Sequence, residues 1–143
     1  MSYIEYRYLE DGVTATGSKI PDLPIVNLVL RVTGRNQALS GPALVDTGFD
    51  GGIYANLTIA SYLEGLEPGS SERLGTPGHT IECEVYEASC YFQGPQEKKI
   101  DLGRVNVHIP TDPDDLTENV LVGREVINLL EMRLDGRKLR VRA

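Results

Sequence analysis

The longest alternation of polar and apolar residues in this chain runs from Thr80 to Phe92. Successive side chains of a β-strand point to opposite faces of a sheet, so this period of two predicts a long strand with one buried face. Shorter apolar or alternating segments follow one another along the chain, separated by turns rich in glycine and proline. The pattern predicts an all-β domain.

The other predicted strands share this signature, an apolar or alternating run that ends at a turn, and they cover Tyr3 to Leu9, Ile25 to Thr33, Ala38 to Val45, Ile100 to Ile109, Asn119 to Val122 and Lys138 to Val141. Asp11-Gly12 predicts a hairpin turn into a further short strand. We expect one domain over residues 1–143, with residues 1–22 as an N-terminal hairpin extension, because no repeat or linker divides the chain.

Two segments have helical rather than alternating spacing. Asn56 is a candidate N-cap for a helix that reaches Glu64, where Gly65 ends it. A second short helix is predicted from Arg124 to Met132. Two short helices do not change the class, which stays all-β.

The charge and hydropathy of the chain exclude several partners. The formal charge is −7, which argues against a phosphate-backbone partner, and we expect no nucleic acid. The basic residues from Arg137 to Arg142 alternate with apolar or small ones, which predicts a strand with a solvated basic face. No run approaches the roughly 20 apolar residues of a membrane helix. The N-terminus has no apolar signal core, so a cytoplasmic protein without a membrane partner is expected.

The cysteines and histidines do not suggest a metal or a cofactor. Cys83 and Cys90 lie seven residues apart in one predicted strand, so they face opposite sides and a disulfide between them is not expected. His79 and His108 are the only histidines, and neither lies near a cysteine at ligand spacing. We therefore expect no metal site and no cofactor, with both histidines in structural roles.

The feature that carries chemistry is an apolar strand that runs directly into Asp46-Thr47-Gly48. A carboxylate at a strand end can be held rigidly and still face a cleft, where it can act as a general acid or base. The triplet alone is weak, because an aspartate that caps its own surface turn gives the same letters. Against that reading, three apolar residues enter the motif, and a Gly-rich loop and a helix leave it.

A second element near the C-terminus, Val120-Leu121-Val122-Gly123-Arg124, completes a pattern that resembles the retroviral-type (retropepsin-like) aspartic proteases. In that family Asp-Thr-Gly follows a hydrophobic strand, a flap hairpin comes next, and apolar residues, Gly and often Arg precede a late helix. The likeness covers about Ile25 to Val141. Gly51-Gly52 and the longer first helix are more similar to the cellular and prokaryotic relatives than to the viral enzymes.

The resemblance implies a closed β-barrel or sandwich subunit with a flap hairpin from Arg73 to Glu84. It also implies roles for individual residues. Asp46 is then the catalytic residue, and Thr47 and Gly48 support the catalytic loop. The residues expected at the substrate are Phe49, Asp50, Gly75, Thr76 and Gly78. Asp50 and Arg124 occupy positions that form an internal ion pair in viral members; two independent surface charges are the alternative.

An aspartic peptidase needs two carboxylates that share one proton, and this chain has one Asp-Thr-Gly. The resemblance therefore implies a homodimer in which each subunit supplies Asp46, with a peptide or protein as substrate; residues 1–22 are a candidate part of the interface. Two alternatives stay open. One is a catalytically inactive, dimeric β-rich module that binds proteins or peptides. The other is a small-molecule-binding β-barrel in which Asp-Thr-Gly is a coincidence.

Overall fold

A computed structural model describes residues 3–76 and 78–143, of which 50% lie in strands and 12% in helices. The ten strands are, in chain order, β1 (Ile4–Arg7), β2 (Ile25–Arg31), β3 (Leu39–Val45), β4 (Ile53–Tyr54), β5 (Ser70–Thr76), β6 (His79–Gln93), β7 (Lys99–Pro110), β8 (Val120–Val122), β9 (Glu131–Leu134) and β10 (Lys138–Arg142). Helix α1 (Leu57–Leu63) follows β4, helix α2 (Arg124–Ile127) follows β8, and 3-10 turns cover Pro95–Glu97 and Pro113–Asp115.

Six strands form a closed barrel in the order β2-β3-β8-β4-β7-β6, which β6 closes by pairing with β2. The inner side chains of these strands make one apolar core, whose fully buried members include Val26, Ile53, Phe92, Val107 and Val122. The prediction of an all-β barrel with two short helices is confirmed. Asn56 caps α1 as expected, since its side-chain oxygen accepts a hydrogen bond from the Ile59 amide at 3.1 Å.

Strand β5 extends the sheet beyond the barrel and pairs antiparallel with β6, from Ser70 opposite Val85 to Thr76 opposite His79. This confirms a hairpin where the flap was predicted. Its tip is tighter than the sequence suggested, because Gly75 is a strand residue paired with Thr80. Pro77, like the side chain of Thr76, lies outside the described part of the chain, and Gly78 has a φ of +73° at the turn.

A separate three-stranded sheet lies beside the barrel in the order β1-β10-β9. The prediction that α2 continues to Met132 was wrong. The helix ends at Ile127, and residues 131–134 become β9, which gains backbone hydrogen bonds to β10. Lys138 and Arg140 are exposed, whereas Leu139 and Val141 between and beside them are buried, so the predicted solvated basic face of this strand is confirmed. Both basic side chains lie near Glu5.

The N-terminal extension differs from its prediction in detail. Asp11-Gly12 is not the turn of the hairpin; the chain continues past it, and bridges join Leu9 to Leu23 and Val13 to Lys19. The reversal lies at residues 14–18, where the Thr14 amide donates to the Ser18 carbonyl at 2.7 Å. In residues 3–76 and 78–143, no helix is long and apolar enough to cross a membrane.

Candidate active site

Asp46 directly follows β3, whose last residues pair in parallel with β8. Its amide donates to the Val122 carbonyl at 2.9 Å, so the backbone at Asp46 is hydrogen-bonded to barrel strand β8. The side chain is partly buried, and its Oδ1 accepts a hydrogen bond from the Gly48 amide at 2.9 Å. One carboxylate oxygen is therefore held in place, while Thr47 and Gly48 beside it are exposed.

This turn is not distinctive by itself. Asp101 makes the same turn at an exposed position, where its Oδ1 accepts from the Gly103 amide at 2.8 Å. Asp46 differs from Asp101 in the packing of the loop that follows it, which contacts strands β7 and β8 and helix α2. Asp101 lies within β7, next to a bulge in its pairing with β6.

The loop from Phe49 to Gly52 is bound to the start of α2 by three backbone hydrogen bonds. The Gly123 amide donates to the Gly52 carbonyl at 2.7 Å, and the Arg124 amide donates to the Phe49 carbonyl at 2.8 Å. The Glu125 amide reaches the Gly51 carbonyl at 3.2 Å. Because these amides have no partner within the first turn of a helix, the loop and the helix satisfy each other.

Close contact between loop and helix requires glycine at Gly123. A Cβ there would lie 2.3 Å from the Gly51 carbonyl oxygen and 2.5 Å from Cδ2 of Phe49. Gly51 is equally confined, since its Cβ would lie 2.8 Å from Cε1 of His108. Gly51 in the loop after Asp46 and Gly123 at the start of α2 thus allow the loop and the helix to pack together.

The predicted ion pair between Asp50 and Arg124 is not among the salt bridges of the described residues. Arg124 instead donates through Nη1 to the Thr47 carbonyl at 2.7 Å. Asp50 is exposed, where a carboxylate is well solvated and gains little from a partner. Arg124 still connects the late element to the Asp46 loop, but through the backbone of Thr47.

An aromatic layer lies under the loop. Phe49 meets Tyr54 edge to face at 5.8 Å between ring centroids, and it meets His108 in the same way at 5.6 Å. The Tyr54 hydroxyl donates to the Asp115 carbonyl at 2.6 Å. Burial raises the pKa of Tyr54 to about 12, with smaller contributions from Cys83 and Asp115. Phe49, predicted at the substrate, thus uses its ring for packing.

The hairpin is joined to the body below its tip. Glu72 on β5 lies 2.9 Å from the buried His108, measured from Oε2 to Nε2. His79 at the start of β6 lies 3.6 Å from Asp115, measured from Nε2 to Oδ1. Gly75 and Gly78 make no backbone hydrogen bond to the Asp46 loop within the ranges that the structure describes.

Both cysteines are free and buried, and Cys90 belongs to the main apolar core whereas Cys83 does not, in agreement with the opposite faces predicted from their spacing. Burial raises the pKa of Cys90 to about 12. Burial, with the negative charges of Asp115 and Glu72, raises the pKa of Cys83 to about 11. Both thiols therefore stay protonated at neutral pH and are poor nucleophiles.

Cavities of about 270, 520 and 250 Å³ open on the described part of the surface, and Asp46 lines none of these three. The 520 Å³ cavity lies between the β2–β3 turn, the end of α1 and β6, and contains Arg31, Arg35 and Arg104. The described residues contain no group of three or more His, Cys, Asp or Glu placed to hold a metal ion. Asp46 itself is followed by two exposed residues, Thr47 and Gly48.

Sequence reasoning missed the contact of His108 with Glu72 and the packing of Gly51 and Gly123. A signal for the first existed: a histidine within an apolar strand must find a polar partner when the strand is buried. Comparisons of the chain with protein-family models and with curated proteins gave no match.

Proposed function

We propose that this chain is an aspartic endopeptidase that acts as a homodimer. The observation that supports this most is Asp46 itself, a partly buried carboxylate at the end of a barrel strand, with one oxygen held by the Gly48 amide. The loop behind it is held by three backbone hydrogen bonds to α2 and by close packing at Gly51 and Gly123. A carboxylate held in this way beside exposed residues can meet its copy in a second subunit across a two-fold axis.

In the proposed mechanism, two Asp46 carboxylates share one proton, because two adjacent negative charges are costly. The ionised carboxylate takes a proton from water as the water attacks the scissile carbonyl. The protonated partner gives its proton to the carbonyl oxygen, which forms a gem-diol. The carboxyl group that took the water's proton then donates it to the amide nitrogen as the C–N bond breaks, and a hydroxyl proton of the gem-diol returns to the other carboxylate. The two apparent pKa values belong to the pair and not to either residue.

The dimer is required because the chain contains one Asp-Thr-Gly. Asp101-Leu102-Gly103 and Leu134-Asp135-Gly136 lack the Thr or Ser between Asp and Gly. Thr47 and Gly48, the two residues after Asp46, are exposed, so a second subunit can approach the loop.

The β5–β6 hairpin then serves as the element that closes on the substrate. An extended peptide can pair with a hairpin through backbone hydrogen bonds, which supply affinity without fixing the sequence that is cleaved. Gly75, Thr76 and Gly78 lie at the end of this hairpin, where such a contact would form.

The test is cleavage of a mixed peptide library by the purified chain at acidic to neutral pH, with sedimentation equilibrium on the same sample. We expect a dimer at micromolar concentration, cleavage at peptide bonds, and loss of cleavage when a statine-type inhibitor is added. A dimer that cleaves nothing would instead indicate the inactive binding module. A strict monomer would favour the small-molecule-binding barrel.

A further inference from the structure

His108 is the one buried polar residue in the described core. Its side chain is fully inaccessible to solvent, on a strand whose neighbours are apolar. Its Nδ1 has no hydrogen-bond partner in the described part of the chain, and Nε2 makes its only polar contact, with Glu72. A buried polar group lowers stability unless it makes a hydrogen bond, so the contact with Glu72 has to offset the cost of burying this imidazole.

That contact crosses an entire strand. His108 on β7 is paired with Val85 on β6, whereas Glu72 on β5 is paired with Cys83. The imidazole therefore reaches diagonally over the buried Val85 and Cys83 to the hairpin's outer strand. Because Nδ1 has no acceptor, the hydrogen is assigned to Nε2, which donates it to the Glu72 carboxylate.

The same ring also contacts the catalytic loop. Phe49 packs edge to face on it at a centroid distance of 5.6 Å, and Gly51 approaches so closely that no Cβ would fit. One imidazole thus has the Asp46 loop on one side and strand β5 of the hairpin on the other.

From this geometry we propose that His108 is a positioning residue, which through Glu72 holds the β5–β6 hairpin in register with the loop that carries Asp46. The inference rests on the proposed peptidase function. It adds that the hairpin is held to the catalytic loop by a polar contact inside the subunit. Loss of the contact leaves Asp46 in place but lets the hairpin close on a peptide out of register.

Glu72→Leu tests the proposal, because Glu72 is about half exposed, so the change removes the partner of His108 Nε2 without removing a core side chain. Circular dichroism checks that the variant is folded. We expect kcat/KM for a peptide substrate to fall about ten-fold, mostly through a higher KM, because the hairpin contacts the substrate and not the reacting atoms. Glu72→Gln should restore most of this loss, since its side-chain oxygen can still accept from Nε2.

The matched control is Glu87→Leu. Glu87 lies on β6 beyond the hairpin and pairs with Arg104 at 3.6 Å, a contact between two exposed side chains. We expect wild-type kcat and KM for this variant. Equal kinetics of Glu72→Leu and Glu87→Leu, in an enzyme that Asp46→Asn inactivates, would overturn the positioning role and leave the peptidase assignment standing.

Hydrogen exchange shows which of the two proposals has failed, the peptidase function or the positioning role of His108. Amides of residues 70–76 should exchange about ten-fold faster in Glu72→Leu than in Glu87→Leu, whether or not the chain cleaves peptides. If the chain cleaves nothing but shows this difference, the peptidase function is contradicted, whereas the link from the hairpin through Glu72 and His108 to the Asp46 loop is supported. Equal exchange in the two variants contradicts this link.

Discussion

Replacing Asp46 with asparagine is expected to abolish peptide cleavage and to leave folding and self-association unchanged. Asparagine has the shape of aspartate, and its side-chain oxygen can still accept the hydrogen bond that the Gly48 amide makes at 2.9 Å. The turn is therefore kept, while the group that exchanges a proton with water is lost. General acid–base catalysis contributes roughly 10²- to 10⁴-fold to a rate, and the substitution removes it from both subunits.

The chain offers a matched control in Asp101→Asn. Asp101 has the same turn with the Gly103 amide at 2.8 Å but lies on an exposed part of β7. Cleavage products of a mixed peptide library are counted by mass spectrometry for the wild type and both variants, with circular dichroism as the check on folding. Asp101→Asn should cleave like the wild type. Retained activity in Asp46→Asn would remove the basis for the assignment.

The second large effect is expected for Gly123→Ala. The added methyl would lie 2.3 Å from the Gly51 carbonyl oxygen and 2.7 Å from the Phe49 carbonyl oxygen, and both of these atoms are backbone. The loop has to move away from α2, which weakens the three hydrogen bonds between them. Overpacking of this kind costs about 1–3 kcal/mol, and here the displaced loop is the one that carries Asp46.

Urea unfolding and cleavage rates on the same samples measure both consequences. Gly41→Ala is the control, because Gly41 lies in β3, the strand that leads to Asp46, and a Cβ there meets nothing within 4 Å. Its free energy of unfolding should stay within about 0.5 kcal/mol of the wild type. If Gly123→Ala is as stable and as active as Gly41→Ala, the close packing of loop and helix is not what holds the site.

Much of the fold follows from local pattern. The alternation from Thr80 to Phe92 predicts β6, and the cap at Asn56 predicts the start of α1, because both signals act within a few residues. The C-terminal end of α2 was not predictable in this way. Residues 128–132 fit a helical spacing, and the competing strand β9 depends on pairing with β10, which local sequence does not encode.

The residues of the candidate site could likewise be predicted where a local motif contains them, and not where the contact joins distant strands. Asp46 and the element ending in Arg124 could be predicted because each lies in a short, ordered motif. The contact between Glu72 and His108 joins residues on two strands with a third between them, and it depends on a register that sequence does not give. The predicted partner of Arg124 was wrong because a long side chain can reach several acceptors, and it donates to the Thr47 carbonyl.

The most direct test of the central claim, that one site contains an Asp46 from each of two subunits, is to mix wild-type and Asp46→Asn chains. With equal amounts and free subunit exchange, about half of the wild-type dimers are converted to mixed dimers. If both carboxylates are needed, activity per wild-type chain falls to about half its value before mixing, and it falls further as more variant is added. Activity that stays constant at every ratio would contradict the account, because each wild-type chain would then carry a complete site.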